Sequence, residues 1–141
     1  MRIGVVVVTH CRLGEELIGA AQLVLGEELR QFQAVSIDPK EGSEEIREKI
    51  IGAIRKVDGG QGILILTDLF GGTASNLSFA FRQPGKVDVV TGVNLPMVIK
   101  FTNLRGIERL EEVAAKIRDE GRKAIYAASE VLKKDADKGA A

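Results

Sequence analysis

The chain has 141 residues, of which 45% are hydrophobic and 28% are charged, a composition typical of one globular domain with a packed core. Its 20 basic and 20 acidic side chains give a formal net charge of zero, which argues against binding to nucleic acid or to an anionic membrane through bulk electrostatics. The single cysteine cannot form an internal disulfide, and no run resembles a membrane span or a secretory signal, so we expect a cytoplasmic protein.

The first half of the chain alternates short apolar runs with longer amphipathic ones. Residues 3–8 are β-branched except for one glycine, which predicts a strand buried on both faces. A helical pattern over 13–29 follows, and then a second strand over 32–37 that ends at an Asp-Pro turn. Residues 43–57 carry an apolar stripe at helical spacing and stop before a Gly-Gly pair, so they predict a second helix.

The same alternation continues in the second half. We predict a buried strand over 62–67, a helix over 74–82 capped by Thr73, a strand over 87–91 and a helix over 96–104. Repeated strand–helix units favour a parallel sheet with helices on both faces, because the crossovers are right-handed. The predicted fold is therefore a doubly wound, three-layer α/β/α sandwich with four parallel strands.

The C-terminal part is ambiguous from its pattern alone. Residues 107–117 carry a helical stripe that Gly121 interrupts, and the segment beyond it could continue as a helix or form a strand. We predict a single domain over residues 1–134 and a flexible tail over residues 135–141.

Three polar turns follow predicted strands: THC after the first, TDLFGGT after the third and TGVNLP after the fourth. In doubly wound sheets ligands bind at the carboxyl ends of the strands, so we expect His10, Asp68 and the glycine-rich turn to share one edge. A carboxylate that hydrogen-bonds one imidazole nitrogen leaves the other as a base or nucleophile. A glycine-rich turn before a helix suits a phosphoryl group. Together these parts suit a histidine that accepts a phosphoryl group covalently.

Each of these residues also has a simpler interpretation. A single histidine at a strand end is most often a solvated loop residue, Asp68 could cap a turn, and Gly71-Gly72 could serve backbone geometry alone. The turn matches neither the dinucleotide fingerprint nor a P-loop. One histidine and one cysteine argue against a metal site, although Asp68 could supply a third ligand.

The segments VVVVTH, LILTDLFGGTASN and VVTGVNLPM resemble, in this order, the mannose-family enzyme IIA domain of the bacterial phosphoenolpyruvate-dependent sugar phosphotransferase system. The resemblance covers roughly residues 2–132. It implies a parallel sheet with helices on both sides and a homodimer that exchanges a C-terminal strand. That strand would span about residues 123–130, with Gly121 ending the preceding helix.

By position, the resemblance implies that His10 accepts a phosphoryl group from phospho-HPr as a tele-phosphohistidine and passes it to a separate enzyme IIB, for uptake of a mannose-, fructose- or sorbose-type sugar. Asp68 would orient the imidazole. The implied phosphoryl-binding residues are Gly71, Gly72, Thr73 and Ser75, and the implied rim consists of Thr9, Cys11, Asn94 and Pro96. No metal, nucleotide or other cofactor is implied, and any membrane association would be indirect, through a IIC/IID permease.

Two positions depart from the family pattern. Cys11 follows the histidine where the family commonly has glycine, and Ala74 stands where proline usually opens the helix. If the backbone at Cys11 needs a positive φ, the side chain carries strain of about 1 kcal/mol or more. Three alternative functions remain open: the phosphocarrier subunit of a dihydroxyacetone kinase, a stand-alone regulatory module, and a structural domain in which His10 is buried and bonded through both nitrogens.

Overall fold

The computed structural model describes residues 2–133, in which strands and helices alternate from the first strand to the fourth helix. The strands are β1 (Arg2–His10), β2 (Phe32–Ile37), β3 (Gly60–Thr67) and β4 (Val87–Thr91). The helices are α1 (Leu13–Leu25), α2 (Ser43–Val57), α3 (Thr73–Phe79), α4 (Leu95–Thr102) and α5 (Leu110–Lys123). Residues 128–133 are also helical. No helix in the described part of the chain has both the length and the apolar character needed to cross a membrane.

The four strands form one parallel sheet in the order β2-β1-β3-β4. The chain moves from β1 outward to β2 and then returns to β3 on the other side of β1. The crossover direction therefore reverses between β1 and β3, which is where a doubly wound sheet opens a crevice for a ligand. The predicted fold class is confirmed.

β1 is the centre of the core, and its side chains alternate between two hydrophobic clusters. Val5 and Val7 pack with α1, α4 and α5, whereas Val6 and Val8 pack with α2 and α3. All four valines are completely buried. Because both faces of β1 are covered, its unbroken β-branched run has no polar side and fixes the strand in the middle layer.

Helix ends differ from the sequence prediction in places where a cap decides the boundary. α1 stops at Leu25 rather than at residue 29, because Gly26 adopts a left-handed conformation (φ 69°) and its N–H donates to the carbonyl of Gln22. α3 begins at Thr73 with Gly72 as its N-cap residue, so Thr73 is the first helical residue and not the cap.

The C-terminal strand predicted for the dimer is not formed in the single chain. α5 continues through Gly121 to Lys123, residues 125–127 have no regular structure, and residues 128–133 are helical. Gly121 does not end α5: a Cβ there would lie 2.6 Å from Met97 Sδ, so the glycine permits close packing of α5 on α4. Residues 128–133 include good helix formers, and no strand among the described residues lies beside them. Residue 134 and the predicted tail over 135–141 lie outside the described residues.

Candidate active site

His10 and Asp68 lie side by side at the carboxyl edge of the sheet. β1 and β3 are parallel neighbours in which Val8 is opposite Thr67, so the strands end at the same level. The backbone N–H of His10 donates to Asp68 Oδ2 at 2.9 Å, and Nδ1 of the imidazole lies 2.9 Å from the same oxygen. Since a carboxylate only accepts, this contact places the imidazole proton on Nδ1 and leaves the lone pair on Nε2.

The carboxylate is held firmly, whereas the imidazole is accessible. Asp68 Oδ1 accepts from the N–H of Leu69 at 3.0 Å, and the Asp68 side chain is only 10% exposed. Burial raises the pKa of Asp68, but hydrogen bonds from the backbone and imidazole of His10 outweigh it, and the pKa lies below its ordinary value. The His10 side chain is 47% exposed. The pair therefore combines a fixed, ionised acceptor with a ring that solvent or a partner can reach.

The glycine-rich turn lies against the imidazole, as the sequence predicts. A Cβ on Gly72 would be 3.6 Å from His10 Cε1, the carbon between the two ring nitrogens. Gly71 has a φ of 89°, a conformation that favours glycine, and Thr73 is exposed at the start of α3. The first N–H groups of a helix have no partner within it, so this turn can offer backbone donors beside Nε2.

Two hydroxyls assigned to the site from the sequence face inward instead. Thr9 is completely buried, and its Oγ1 accepts from the N–H of Gly14 at 2.8 Å, so it supports the start of α1 and does not form the rim. Ser75 is also buried, and its Oγ accepts from the N–H of Gly71 at 3.3 Å. This bond braces the glycine-rich turn, so the contribution of Ser75 is to position the loop.

Asn94 and Pro96 shape the loop after β4. Asn94 Oδ1 accepts from the N–H of Met97, which caps α4, and Asn94 Nδ2 donates to the carbonyl of Gly121, both at 3.1 Å. Pro96 lies in the first turn of α4, where its missing N–H costs nothing. Asn94 thus links the start of α4 to α5, and Pro96 fits the first turn of α4.

An exposed apolar patch lies beside the site and was not predicted from the sequence. It consists of Leu69, Phe70 and Phe79, which are 58%, 79% and 41% exposed. The rings of Phe70 and Phe79 pack with their centroids 6.1 Å apart. The available signal was the Leu-Phe pair itself, since two large apolar residues in a turn between an aspartate and a Gly-Gly pair are unusual for a solvated loop.

The described residues contain no group of three or more His, Cys, Asp or Glu side chains that could hold a metal ion.

Comparison with known proteins places this chain in a family. The family model described as "PTS system fructose IIA component" matches residues 4–118. The chain belongs to this family of phosphotransferase system IIA components. A sorbose-specific EIIA component of Lacticaseibacillus casei is 31% identical over 120 residues, which cover 82% of this chain and 86% of that protein.

A mannose-specific EIIAB component of Escherichia coli (strain K12) is 30% identical over 132 residues, or 90% of this chain. Those residues are only 41% of that protein, so the chain spans less than half the length of the first curated relatives that it matches. Among solved structures, the mannose/sorbose-specific IIA subunit from Enterococcus faecalis has a TM-score of 0.78 at 26% identity, covering 90% of this chain and 95% of that one.

Both departures of this IIA component from the family pattern can now be located. Ala74 is completely buried in the first turn of α3, which forms without a proline there. Cys11 has a φ of 52° and is the one non-glycine residue with a positive φ in the described part of the chain. Its N–H donates to the carbonyl of Ile37 at 3.3 Å, which holds the backbone in this conformation.

Replacing Cys11 with glycine should raise the free energy of unfolding by about 1 kcal/mol, because the left-handed conformation then carries no steric penalty from Cβ. Urea unfolding followed by circular dichroism measures the change. Cys11→Ala keeps Cβ and removes only the thiol, so its stability should stay close to that of the wild type. Equal stabilisation by both substitutions would show that the thiol, and not the backbone, is the source of strain.

Proposed function

We propose that this IIA component carries a phosphoryl group on Nε2 of His10, accepts it from phospho-HPr and passes it to a histidine of enzyme IIB. The observation that carries the proposal is the 2.9 Å contact between His10 Nδ1 and Asp68 Oδ2 on a half-exposed imidazole. This contact fixes the ring so that only Nε2 has a free lone pair. A structural domain with both nitrogens bonded is thereby disfavoured.

The proposed step exchanges one phosphorus–nitrogen bond for another. Nε2 attacks the phosphorus of the donor phosphohistidine, the donor P–N bond breaks, and its electron pair returns to the donor imidazole. The His10 ring becomes cationic while its proton stays on Nδ1, where the Asp68 carboxylate stabilises the positive charge. Backbone N–H groups of Gly72 and Thr73 would receive the phosphoryl oxygens, in a turn that the bond from Gly71 N–H to Ser75 Oγ braces. Positioning and charge stabilisation supply the catalysis, as in other phosphoryl transfers.

The surroundings of His10 favour a protein donor over a small molecule. The apolar patch of Leu69, Phe70 and Phe79 offers large side chains that a partner surface can bury. The relatives named for mannose and sorbose support a sugar of the mannose, fructose or sorbose type as the final acceptor. The family match also favours the sugar system over the phosphocarrier subunit of a dihydroxyacetone kinase.

Intact-protein mass spectrometry after incubation with phosphoenolpyruvate, enzyme I and HPr tests the proposal. We expect an acid-labile gain of one phosphoryl group that is absent from His10→Ala and is lost again when enzyme IIB is added. A gain that IIB cannot remove would favour the regulatory module. No gain in the presence of competent phospho-HPr would contradict the carrier function.

We also propose that the chain forms a homodimer by exchanging its C-terminal segment, about residues 123–130. Each segment would occupy a groove on the partner. β4 is the last strand in the sheet order, and a groove of about 550 Å³ runs between its free edge and α5. Ile125 and Tyr126, just beyond α5, are 78% and 75% exposed. Apolar side chains of this size next to an unpaired strand edge favour pairing with a second copy.

The double substitution Ile125→Asp with Tyr126→Asp should convert the dimer to a monomer, because it places two charges where the partner would bury apolar surface. Multi-angle light scattering measures the mass in solution. Ile107→Asp is the matched control, since Ile107 is 75% exposed but lies outside the groove, and it should leave the dimer intact. A monomeric wild type, or an equal effect of both variants, would contradict the proposed dimer.

A further inference from the structure

A second groove lies between α2 and the segment that follows α3, and is called the α2–α3 groove below. It has a volume of about 390 Å³, and its wall includes Ile54, Phe81 and Val87. Val87 is the first residue of β4, whereas His10 is the last residue of β1, and the strands are parallel. The groove therefore lies toward the opposite end of the sheet from the proposed site of phosphoryl transfer.

The floor of the α2–α3 groove is apolar and fixed in position. Ile54, Phe81 and Val87 are partly buried and pack against the core cluster between the sheet and α2. The turn after α3 is tied to β4, since the N–H of Gln83 donates to the carbonyl of Val87 and the N–H of Val87 donates to the carbonyl of Gln83, both at 2.9 Å. The floor is therefore a preformed surface that needs no rearrangement to meet a partner.

The rim of the groove is positively charged. Arg55 and Arg82 line it and are exposed, and the guanidinium carbon of Arg47 lies 5.8 Å from the centre of the Phe81 ring. Among the described residues, none of the three arginines forms an ion pair, and no acidic side chain lines the groove. The guanidinium groups at the rim are therefore available to a carboxylate from outside.

Glu111 does not neutralise this rim. It lies outside the groove, and the backbone N–H of Gly85, which donates to its carboxylate at 2.6 Å, lowers its pKa most. The charge of Arg82 contributes least to this lowering of the pKa, so the two side chains are not closely paired. The positive charge of the groove thus has no close counter-charge among the described residues.

We propose that the α2–α3 groove binds an acidic amphipathic segment of another protein. Its apolar side chains contact the floor, and its carboxylates accept hydrogen bonds from Arg55 and Arg82. Arginine and aromatic side chains are enriched among the residues that dominate protein binding, and complementary charge makes such an interface specific. The groove combines both features with a preformed apolar floor.

The shape of the groove disfavours two other occupants. Its apolar residues are partly buried and its arginines are exposed, so a flat anionic membrane would contact the rim without reaching the floor. A small molecule would be covered on one side only, because the groove is open to solvent, whereas pockets for small ligands enclose most of the ligand surface. A convex protein segment can contact the floor and the rim together.

A synthetic peptide with leucine on one face of a helix and glutamate on both flanks is a suitable probe, with a counterpart in which glutamine replaces every glutamate. In ¹H–¹⁵N NMR titrations we expect the acidic peptide to shift the amide signals of Ile54, Arg55 and Phe81. It should bind about 10- to 100-fold more tightly than the neutral peptide, as charge-assisted hydrogen bonds require. Equal affinity for the two peptides, or shifts confined to other regions, would overturn the proposal. Binding to phosphatidylserine vesicles but not to the acidic peptide would also overturn it, in favour of a membrane.

Arg55→Gln combined with Arg82→Gln should lower the affinity for the acidic peptide by about 10- to 100-fold and leave that for the neutral peptide unchanged. Arg30→Gln combined with Arg105→Gln is the matched control, because it removes the same charge from two exposed arginines outside the groove. Unaltered affinity in the first variant, or an equal loss in both, would overturn the assignment. Neither pair belongs to the proposed site of phosphoryl transfer, so both variants should be phosphorylated like the wild type. The peptide result is thereby distinguished from a failure of the carrier function.

Discussion

Replacing Asp68 with asparagine should lower the rate of phosphoryl transfer to His10 by about 100- to 1000-fold. An asparagine amide can donate to Nδ1, which would move the imidazole proton to Nε2 and remove the lone pair that attacks phosphorus. The neutral side chain also cannot stabilise the cationic ring that forms on transfer. Both effects act on the chemical step, so single-turnover phosphorylation with excess phospho-HPr is the appropriate measurement.

Asp38→Asn provides the matched control for this substitution. Asp38 follows β2 at the same carboxyl edge, and its Oδ1 accepts from the backbone N–H of Lys40 at 2.9 Å, much as Asp68 Oδ1 accepts from Leu69. Asp38 makes no hydrogen bond to His10, so the transfer rate should stay near the wild-type value. If Asp68→Asn slowed transfer only as much as Asp38→Asn, Asp68 would not orient the nucleophile.

Replacing Gly72 with valine should lower transfer by about 10- to 100-fold while leaving the protein folded. The backbone at Gly72 has φ −92° and ψ 178°, an extended conformation that any residue can adopt, so no strain arises there. A Cβ would lie 3.6 Å from His10 Cε1, and the valine methyl groups would extend into the space beside Nε2. The phosphoryl group and the donor would then compete with the side chain for this space.

Two further variants separate this steric effect from loss of a helix cap. Gly72→Ala adds only the Cβ at ordinary contact distance, so its effect should be several-fold smaller. Gly42 is the extended N-cap residue of α2, with nothing within 4 Å of its Cβ position, so Gly42→Val imposes the same cap penalty far from the site. Equal transfer rates for Gly72→Val and Gly42→Val would show that Gly72 is not needed to keep Nε2 accessible.

The sheet and the position of the site could be predicted because both depend on simple periodicities. The β-branched run ending before His10 and the apolar run ending before Asp68 each indicate a strand buried on both faces. Parallel neighbours end at the same edge, so two polar residues that follow such strands come together whatever the details of packing. The contact between Nδ1 and Asp68 Oδ2 is a consequence of this topology.

The features that could not be predicted depend on side-chain direction and on packing between distant segments. Thr9 and Ser75 are adjacent in sequence to site residues, but their hydroxyls bond backbone N–H groups inside the fold. Gly121 was predicted to end a helix, whereas in the structure its missing side chain leaves room for the side chain of Met97. The segment after α5 has no strand neighbour in the part of the chain that the structure describes, so its pattern alone could not determine its conformation.

The most direct test of the account is to determine which nitrogen of His10 carries the phosphoryl group. The chain has a single histidine, so long-range ¹H–¹⁵N NMR of the ¹⁵N-labelled phosphoprotein reports this one imidazole without ambiguity. The contact of Nδ1 with Asp68 predicts phosphorylation at Nε2, with the Nδ1 proton retained. Phosphorus on Nδ1, or an imidazole left unmodified in a phosphorylated protein, would contradict the proposed mechanism.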